Sequence, residues 1–269
     1  MKNWIKITLY IIFIIIIISL GINIKLYLDN KLLLKPKIII KNDGINPFIS
    51  KKELLETLEM NNFIFKDQKI KELDIESIEK FIGSISQVKS VNVFQEINGQ
   101  WEINIQLRKP IARILNKSGE TYYLDAEGNT MHTTRTHTAR VLVFNGEIRD
   151  KADNFSVNQI INNDSLINIL KLDDIYRISN YVCEDTLFQS MMSQVYVDKN
   201  GDFIITPMIG DQKIIFGTAN SDQEVESKFD KLKTFYTEAM KHEGWRKYKE
   251  INLKYEDQIV CKKKELKNE

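Results

Sequence analysis

Hydrophobic residues follow one another without interruption near the start of the chain, and this run predicts a helix that crosses a membrane. From Ile7 to Ile24 no side chain carries a charge. At about 1.5 Å per residue, such a helix is nearly long enough for a hydrocarbon core of about 30 Å. Two lysines before the run also fit the start of a cleaved signal peptide. We favour an uncleaved anchor because Leu26 and Leu28 extend the apolar run.

Strand-like and helical patterns alternate in the next part of the chain. Lys37 to Ile40 predicts a strand, while Ser50 and Asp74 are typical first residues of two amphipathic helices. Two alternating runs follow on either side of Asn98-Gly99, a pair that strongly indicates a β-hairpin. The predicted order of strand, helix, helix, strand and strand is similar to that of POTRA domains, small modules common in bacterial envelope assembly.

The remaining half of the sequence is mostly strand-like, with turn residues between the strands. We predict strands at Tyr122 to Leu124, Ala139 to Phe144, Gln194 to Val197, Phe203 to Thr206 and Lys213 to Phe216. A helical stretch is predicted from Asn158 to Tyr181, and a helix with a stronger amphipathic pattern from Ser221 to His242. The chain is therefore predicted to be an α+β protein with an N-terminal transmembrane helix, a POTRA-like βααββ domain and a β-rich domain with a mixed sheet and packed helices.

The last patterned segment, Gly244 to Cys261, predicts a closing β-strand. Apolar and polar side chains alternate along it, so one face is expected to be buried and the other wet. The apolar face would carry Ile251, Leu253, Tyr255, Ile259 and Cys261. A last strand leaves backbone groups that a strand of another protein could pair with. Pairing inside the protein's own sheet is the alternative, and the pattern alone favours it.

Composition removes some classes of function. Lys and Arg total 38 while Asp and Glu total 37, so the formal net charge of +1 gives no electrostatic argument for nucleic acid as a partner. The two cysteines, Cys183 and Cys261, have neither the spacing of a zinc site nor the density of a disulfide scaffold. Since 43% of the residues are hydrophobic, the chain can form folded cores.

No residues have the spacing of a catalytic, cofactor-binding or metal-binding site. His132 and His137 lie in a threonine-rich segment without neighbouring ligands, so a surface loop is predicted there. The sequence contains no nucleophile elbow, P-loop or zinc-protease motif. The adjacent carboxylates Asp173-Asp174 and Glu184-Asp185 point in different directions, and we predict that they lie on solvated faces. No cofactor, metal or small-molecule substrate is therefore expected.

Several segments together resemble the FtsQ/DivIB family of bacterial cell-division proteins. They are Arg108 to Ile114, Tyr123 to Gly128, Ala139 to Val143, Gly210 to Gly217, Lys228 to Tyr236 and Gly244 to Cys261. Their order, the single anchor, the POTRA-like block and the β-rich remainder resemble the family over nearly the whole chain. His132 departs from the resemblance, because the turn after Gly128 is expected to carry proline.

The resemblance implies a non-enzymatic protein of the cell-division apparatus. It implies a cytoplasmic N-terminus, a single pass through the inner (cytoplasmic) membrane, and a body in the periplasm at the division septum. The implied partners are FtsB-like and FtsL-like coiled-coil proteins and other divisome proteins, with a partner strand added at the C-terminal edge. The implied partner-binding residues are Lys254, Tyr255, Asp257 and Ile259. Lys254 would supply charge to an acidic partner, and Tyr255 a large amphipathic contact.

Two other functions remain open, namely a membrane-tethered enzyme that acts on the cell wall and a POTRA-type chaperone of the envelope.

The predicted domains are a cytoplasmic tail of residues 1–6, a transmembrane helix of residues 7–24, a linker of residues 25–36, a POTRA-like domain of residues 37–110, an FtsQ-type β domain of residues 111–262 and a C-terminal tail of residues 263–269.

Overall fold

The α+β class predicted from the sequence is confirmed in a computed structural model of the chain. The structure describes residues 2–42, 48–96, 98–134, 137–240, 244 and 247–264. The chain divides into a first unit of residues 1–42 and 49–107 and a second unit of residues 43–48 and 108–269.

The first unit begins with the predicted apolar helix. Helix α1 (Lys2–Asp29) contains the whole run from Ile7 to Ile24, and the apolar side chains of this run are exposed. Such a surface is unfavourable in water and suits the hydrocarbon core of a membrane. Within the described ranges, α1 is the one helix long and apolar enough to span a membrane. The chain thus has a candidate single-pass anchor.

The rest of the first unit confirms the predicted order of strand, helix, helix, strand and strand. Its elements are β1 (Lys37–Lys41), α2 (Lys51–Met60), a 3-10 turn (Ile70–Glu72), α3 (Ile75–Gly83), β2 (Val88–Gln95) and β3 (Trp101–Leu107). The strands form a sheet in the order β1-β3-β2, in which β1 runs parallel to β3 and β2 runs antiparallel to it. The turn predicted to end β1, at Asp43-Gly44, lies outside the described residues.

Both predicted helix starts of the first unit are capped by side chains. The Ser50 hydroxyl accepts a hydrogen bond from the N–H of Glu53, and the Glu53 carboxylate accepts one from the N–H of Ser50. Asp74 caps α3 by accepting a hydrogen bond from the N–H of Ser77. These bonds satisfy backbone donors that the start of a helix leaves unpaired. The apolar faces of α2 and α3 are then buried with the sheet in one core.

In the part of the second unit that the structure describes, nine strands form one sheet. They are β4 (Pro110–Leu115), β5 (Thr121–Asp125), β6 (Thr130–His132), β7 (Leu142–Gly146), β8 (Met192–Val197), β9 (Phe203–Pro207), β10 (Lys213–Gly217), β11 (Tyr248–Asn252) and β12 (Val260–Lys263). The helices are α4 (Val157–Ile161), α5 (Asp164–Ile167), α6 (Leu172–Glu184), α7 (Thr186–Met191) and α8 (Asp222–Thr234), which a π-helical turn at Phe235–Ala239 continues. The predicted end of this last helix, His242, lies outside the described residues.

The sheet of the second unit is mixed, as the sequence predicted. Its order is β12-β11-β10-β9-β8-β7-β4-β5-β6, so β12 and β6 are its two end strands. The pairs β4–β7, β7–β8 and β10–β11 are parallel and the other neighbours are antiparallel. One buried cluster joins sheet and helices, with Phe144 and Phe216 from strands, Ile178 from α6 and Phe229 from α8.

The helical stretch predicted from Asn158 to Tyr181 is helical in the structure, but it is divided among α4, α5 and the first part of α6. The Asn163 side chain accepts a hydrogen bond from the N–H of Ser165 and caps α5. The Asp150 carboxylate does the same for α6, whose first donors are the N–H groups of Lys171 and Leu172. Side chains that bind these donors allow a new helix to start where the previous one stops.

The prediction that Asp173 and Asp174 lie on a solvated face is also wrong. They are only 1% and 4% exposed. Arg177 lies one turn later and its guanidinium is 3.0 Å from the Asp173 carboxylate and 2.9 Å from that of Asp174. Burial raises the pKa of Asp174. Arg177 and Lys171, whose Nζ is 2.9 Å from the Asp174 carboxylate, together balance this acidic pair inside the unit, where an uncompensated charge would be costly.

Candidate partner-binding edge

The segment predicted as one closing strand is two strands joined by a loop. β11 ends at Asn252 and β12 begins at Val260, so the single-strand prediction is wrong over residues 253–259. β11 pairs in parallel with β10, and β12 returns antiparallel beside β11. The start of the predicted strand at Trp245-Arg246 lies outside the described residues.

A local turn ends β11. The Asn252 side chain accepts a hydrogen bond from the N–H of Lys254 at 2.9 Å. This arrangement bends the backbone and competes with pairing in a sheet. Leu253 stays fully buried, and its N–H donates to the carbonyl of Ile215 at 2.9 Å. The alternation of buried and exposed side chains therefore continues for one residue after β11 has ended.

β12 is the outer strand at this end of the sheet, and no further strand of the described chain pairs with its outer side. The N–H of Lys264 donates to the carbonyl of Lys247, towards β11. Because successive residues of a strand direct their backbone groups to opposite sides, those of Cys261 and Lys263 point away from β11. Along this outer edge the exposed side chains of the strand are Val260, Lys262 and Lys263.

Lys254 is held by contacts within the chain. Its Nζ lies 2.5 Å from a carboxylate oxygen of Asp202, and this hydrogen bond raises the pKa of Lys254. Its stem lies over Gly217, where an added Cβ would come within 2.7 Å of the lysine Cγ. The charge that was predicted to meet a partner is therefore already paired with Asp202.

Lys231 of α8 holds the backbone of the loop between β11 and β12. Its Nζ donates to the carbonyls of Tyr255 and Glu256, at 2.6 Å and 2.9 Å. The Tyr255 side chain remains 48% exposed. An exposed aromatic side chain on an anchored backbone is preorganised for binding, because the loop loses little conformational freedom when a partner arrives.

Asp257 and Ile259 line an open groove between the loop and α8. The groove has a volume of about 720 Å³, and Glu226 and Asp230 lie on its α8 side. Ile259 is partly buried and packs against the core of the second unit. The groove therefore combines an apolar floor at Ile259 with carboxylates on both sides.

The part of the chain that builds this edge has a recognisable family. The model of the FtsQ/DivIB C-terminal related family matches residues 109–262, which is more than half of the chain and runs from β4 into β12. The chain belongs to this family. Membership in FtsQ/DivIB supports a role in cell division. No curated protein sequence matches the chain significantly.

In this FtsQ/DivIB chain, the four residues predicted to bind a partner are brought together, but beside the edge strand. Lys254, Tyr255 and Asp257 lie in the loop, and Ile259 is its last residue before β12. The sequence analysis did not identify Lys263, whose backbone faces outward, or Lys231, which anchors the loop. Asn252, a residue type that favours turns, is the signal that could have separated the two strands.

Other candidate sites of the FtsQ/DivIB chain are sparse. His132 ends β6 and is exposed, and its Nε2 lies 2.7 Å from a carboxylate oxygen of Asp153. Within the described ranges, no group of three or more His, Cys, Asp or Glu side chains is arranged to hold a metal ion. Cys183 and Cys261 are free thiols, and burial raises the pKa of Cys261.

Proposed function

We propose that this protein is a non-enzymatic scaffold of the bacterial division machinery that holds FtsB-like and FtsL-like proteins by strand addition at β12. The observation that carries the proposal is that the FtsQ/DivIB match, over residues 109–262, extends into β12, the end strand of the mixed sheet. The outward backbone groups of Cys261 and Lys263 are suited to pair with an incoming strand. Other divisome proteins are further partners in this proposal.

Charge and shape around β12 suit an acidic partner segment. Lys262 and Lys263 are exposed on the strand, and Lys264 follows them with its Nζ 2.5 Å from a carboxylate oxygen of Asp211. Such a cluster attracts carboxylates and keeps the edge from pairing with other copies of itself. Tyr255 and Ile259 add aromatic and aliphatic contact area beside the strand, while Lys254 and Asp257 lie at its polar rim.

The family and the candidate anchor α1 support a proposal for the location. We place α1 in the cytoplasmic membrane with the N-terminus in the cytoplasm and the rest of the chain in the periplasm at the division septum. The βααββ unit is then a POTRA domain next to the membrane. Its order of elements and its three-stranded sheet support this assignment.

The test is a pair of substitutions at Lys263. Lys263→Pro removes the outward N–H, whereas Lys263→Ala removes the same charged side chain but keeps the N–H. We expect Lys263→Pro to weaken binding of an FtsB-like partner by about tenfold or more, because a backbone hydrogen bond is lost and the ring obstructs pairing. Lys263→Ala should weaken it only a few-fold. Affinity is measured by titrating partner into the purified full chain in detergent.

A thermal melt of each variant shows that the body remains folded. Proline is tolerated where the N–H of an edge strand faces solvent, so both variants should melt close to the wild-type temperature. Equal affinities for Lys263→Pro and Lys263→Ala would rule out strand addition at this residue. Loss of binding in both variants to the same extent would assign the interaction to the lysine charge alone.

A further inference from the structure

The segment that follows α1 is bonded directly to the body of the first unit. α1 ends at Asp29. The carbonyl of Lys31 accepts a hydrogen bond from the N–H of Ile70 at 3.0 Å, and the N–H of Leu33 donates to the carbonyl of Gln68 at 2.8 Å. The 3-10 turn at residues 70–72 also lies against α1. The chain that leaves α1 is therefore hydrogen-bonded to the body of the first unit within two residues of the end of the helix.

A second set of bonds fixes the same segment to the tip of the β2–β3 hairpin. The N–H of Leu34 donates to the carbonyl of Gly99 at 3.0 Å, and the Trp101 indole N–H donates to the carbonyl of Leu34 at 2.7 Å. Gly99 has φ of +89°, and a Cβ there would lie 3.0 Å from the carbonyl oxygen of Leu32. Only glycine fits this close approach.

These bonds keep one end of the first unit at the membrane surface if α1 spans the bilayer. Only Asn30 separates the end of α1 from the first bonded residue, Lys31, and one residue spans at most about 3.6 Å. Tyr27 is 76% exposed on the last turn of α1, which is a common position for an aromatic residue at the interface of a membrane. Residues 68–70 and the hairpin tip at Gly99, which are hydrogen-bonded to residues 31–34, must then lie close to the lipid headgroups.

The exposed side chains at this end have the composition of a membrane-contacting surface. We define the membrane-proximal face as residues 31–35 and 65–72. Leu32 is 54% exposed and Phe65 is 48% exposed. The lysines of the face are Lys31, Lys35, Lys66, Lys69 and Lys71, and its carboxylates are Asp67 and Glu72. The lysine excess is local, because the whole chain has a formal net charge of only +1.

We propose that the membrane-proximal face rests on the bilayer that α1 crosses and binds anionic lipid headgroups there. Phe65 and Leu32 would enter the interface between headgroups and acyl chains, while the lysines pair with phosphates. We favour lipid as the ligand because the hydrogen-bonded segment after α1 already holds this face next to the bilayer. Binding would fix the tilt of the first unit against the membrane. The inference rests on α1 being a membrane anchor, as in the proposed function.

The test measures how deeply a probe at position 65 lies in the membrane. The full chain, with Cys183→Ser and Cys261→Ser, carries an environment-sensitive fluorophore on Phe65→Cys. The matched position is Gln106→Cys, which is exposed and lies near the opposite end of β3 from the hairpin tip. Each labelled protein is reconstituted in vesicles of phosphatidylcholine alone, and in vesicles that also contain phosphatidylglycerol. Quenching by spin-labelled lipid is then measured.

We expect quenching at position 65 to exceed that at position 106 several-fold in the vesicles with phosphatidylglycerol, and to fall in neutral vesicles. The triple variant Lys66→Glu, Lys69→Glu, Lys71→Glu should lose this excess, since each lysine near an anionic surface favours contact roughly fivefold. The matched arginine variant, which keeps the charge, should retain it.

Equal quenching at the two positions, or quenching at position 65 that is the same in neutral vesicles, overturns the proposal. A protein as the true occupant would give the first of these results, because the vesicles contain only lipid. Flotation of the labelled chains with the vesicles reports anchoring by α1 separately. Chains that do not float would contradict the anchor itself and therefore the proposed function.

Discussion

Among the described residues, the two end strands of the nine-stranded sheet differ in how far they are buried. At one end, Met131 of β6 is fully buried in a separate hydrophobic cluster with Phe48, Tyr123 and Ala139. The rings of Phe48 and Tyr123 meet edge to face at 5.3 Å. At the other end, Val260 of β12 is 42% exposed, and the strand has no fully buried side chain.

This difference indicates which end is available to a partner. Met131 holds β6 in a buried cluster, and moving the strand so that this cluster opened would expose apolar surface at a cost in free energy. On its outer side, β12 pairs with no strand of the described chain. Its lysines also discourage pairing between identical copies, as charges on edge strands commonly do. The sheet therefore combines one end strand with a buried side chain and one exposed end strand, and the proposed strand addition uses the exposed one.

The largest expected effect comes from removing the side chain that is buried at the β6 end. Met131→Ala should lower the free energy of unfolding by about 2–4 kcal/mol, because it deletes buried groups and leaves a cavity. Val260→Ala, the matched change on β12, should lower it by less than about 1 kcal/mol, because the valine is partly exposed. Denaturant unfolding of both variants measures the comparison.

In a binding experiment the order of the two effects should be reversed, so that Val260→Ala lowers partner affinity more than Met131→Ala does. Met131→Ala is expected to leave affinity for an FtsB-like partner unchanged at a temperature where the variant is folded, whereas Val260→Ala should weaken it. If the two changes destabilise the protein equally, the ends of the sheet do not differ as described. If Met131→Ala alone abolishes binding, the partner uses the β6 end.

A smaller loss of stability is expected when either of two glycines with different surroundings is replaced by alanine. Gly217 and Gly119 both have positive φ, at +79° and +85°. At Gly217 a Cβ would come within 2.7 Å of Lys254, while at Gly119 nothing lies within 4 Å. Gly119→Ala should therefore cost about 1 kcal/mol of stability through backbone strain alone. Gly217→Ala should cost about 2 kcal/mol, because it also displaces Lys254.

This glycine pair sharpens the comparison because only Gly217 adjoins the β12 end of the sheet. Partner affinity should fall for Gly217→Ala and stay at the wild-type level for Gly119→Ala. Thermal melts give the stability difference, and titration with the partner gives the affinity. Equal losses of stability for both variants would mean that Lys254 moves aside freely and does not brace the loop.

Local signals in the sequence were sufficient to predict much of the fold. The caps at Ser50 and Asp74 begin helices in the structure because a short polar side chain binds donors within the next three residues. The membrane helix and the order of the first unit follow from equally local patterns. Such features depend on residues that are close together in the sequence, so they can be recognised from the sequence alone.

The end of β11 could not be predicted from periodicity. Alternation places Leu253, Tyr255 and Ile259 on one face, but only Leu253 is fully buried, because the chain turns at Asn252. The alternation of residues 253–259 coincides with a loop that Lys231 holds from a distant helix. A pattern of period two does not reveal that contact.

The buried carboxylates of α6 were missed for a related reason. Charged residues are usually exposed, so Asp173 and Asp174 were predicted to be solvated. Their burial depends on Arg177, whose guanidinium pairs with both and donates to the distant carbonyl of Ala219. The spacing to Arg177 was visible in the sequence, but the carbonyl that completes its hydrogen bonds comes from the fold.

The smallest expected effect concerns the ion pair between Lys254 and Asp202, which lies beside the β12 end of the sheet. Asp202→Asn should lower the free energy of unfolding by only about 0.2–1 kcal/mol at neutral pH, because the pair with Lys254 is partly exposed. The pKa of Lys254 is raised in the folded protein, so the stabilisation is complete below the ordinary lysine value of 10.5 and is lost as pH rises through the raised value. The wild-type advantage over Asp202→Asn should therefore shrink at alkaline pH.

Unfolding by urea at neutral and alkaline pH measures this difference, and Lys254→Met supplies the control because it keeps most of the stem but removes the charge. In a double-mutant cycle the two substitutions should show a coupling of the same size as the wild-type advantage. An advantage that does not change with pH, or a coupling of zero, would show that Asp202 stabilises the loop in another way. The β12 end would then be held by the Lys231 bonds and the packing of Ile259, and Lys254 would be available to a partner after all.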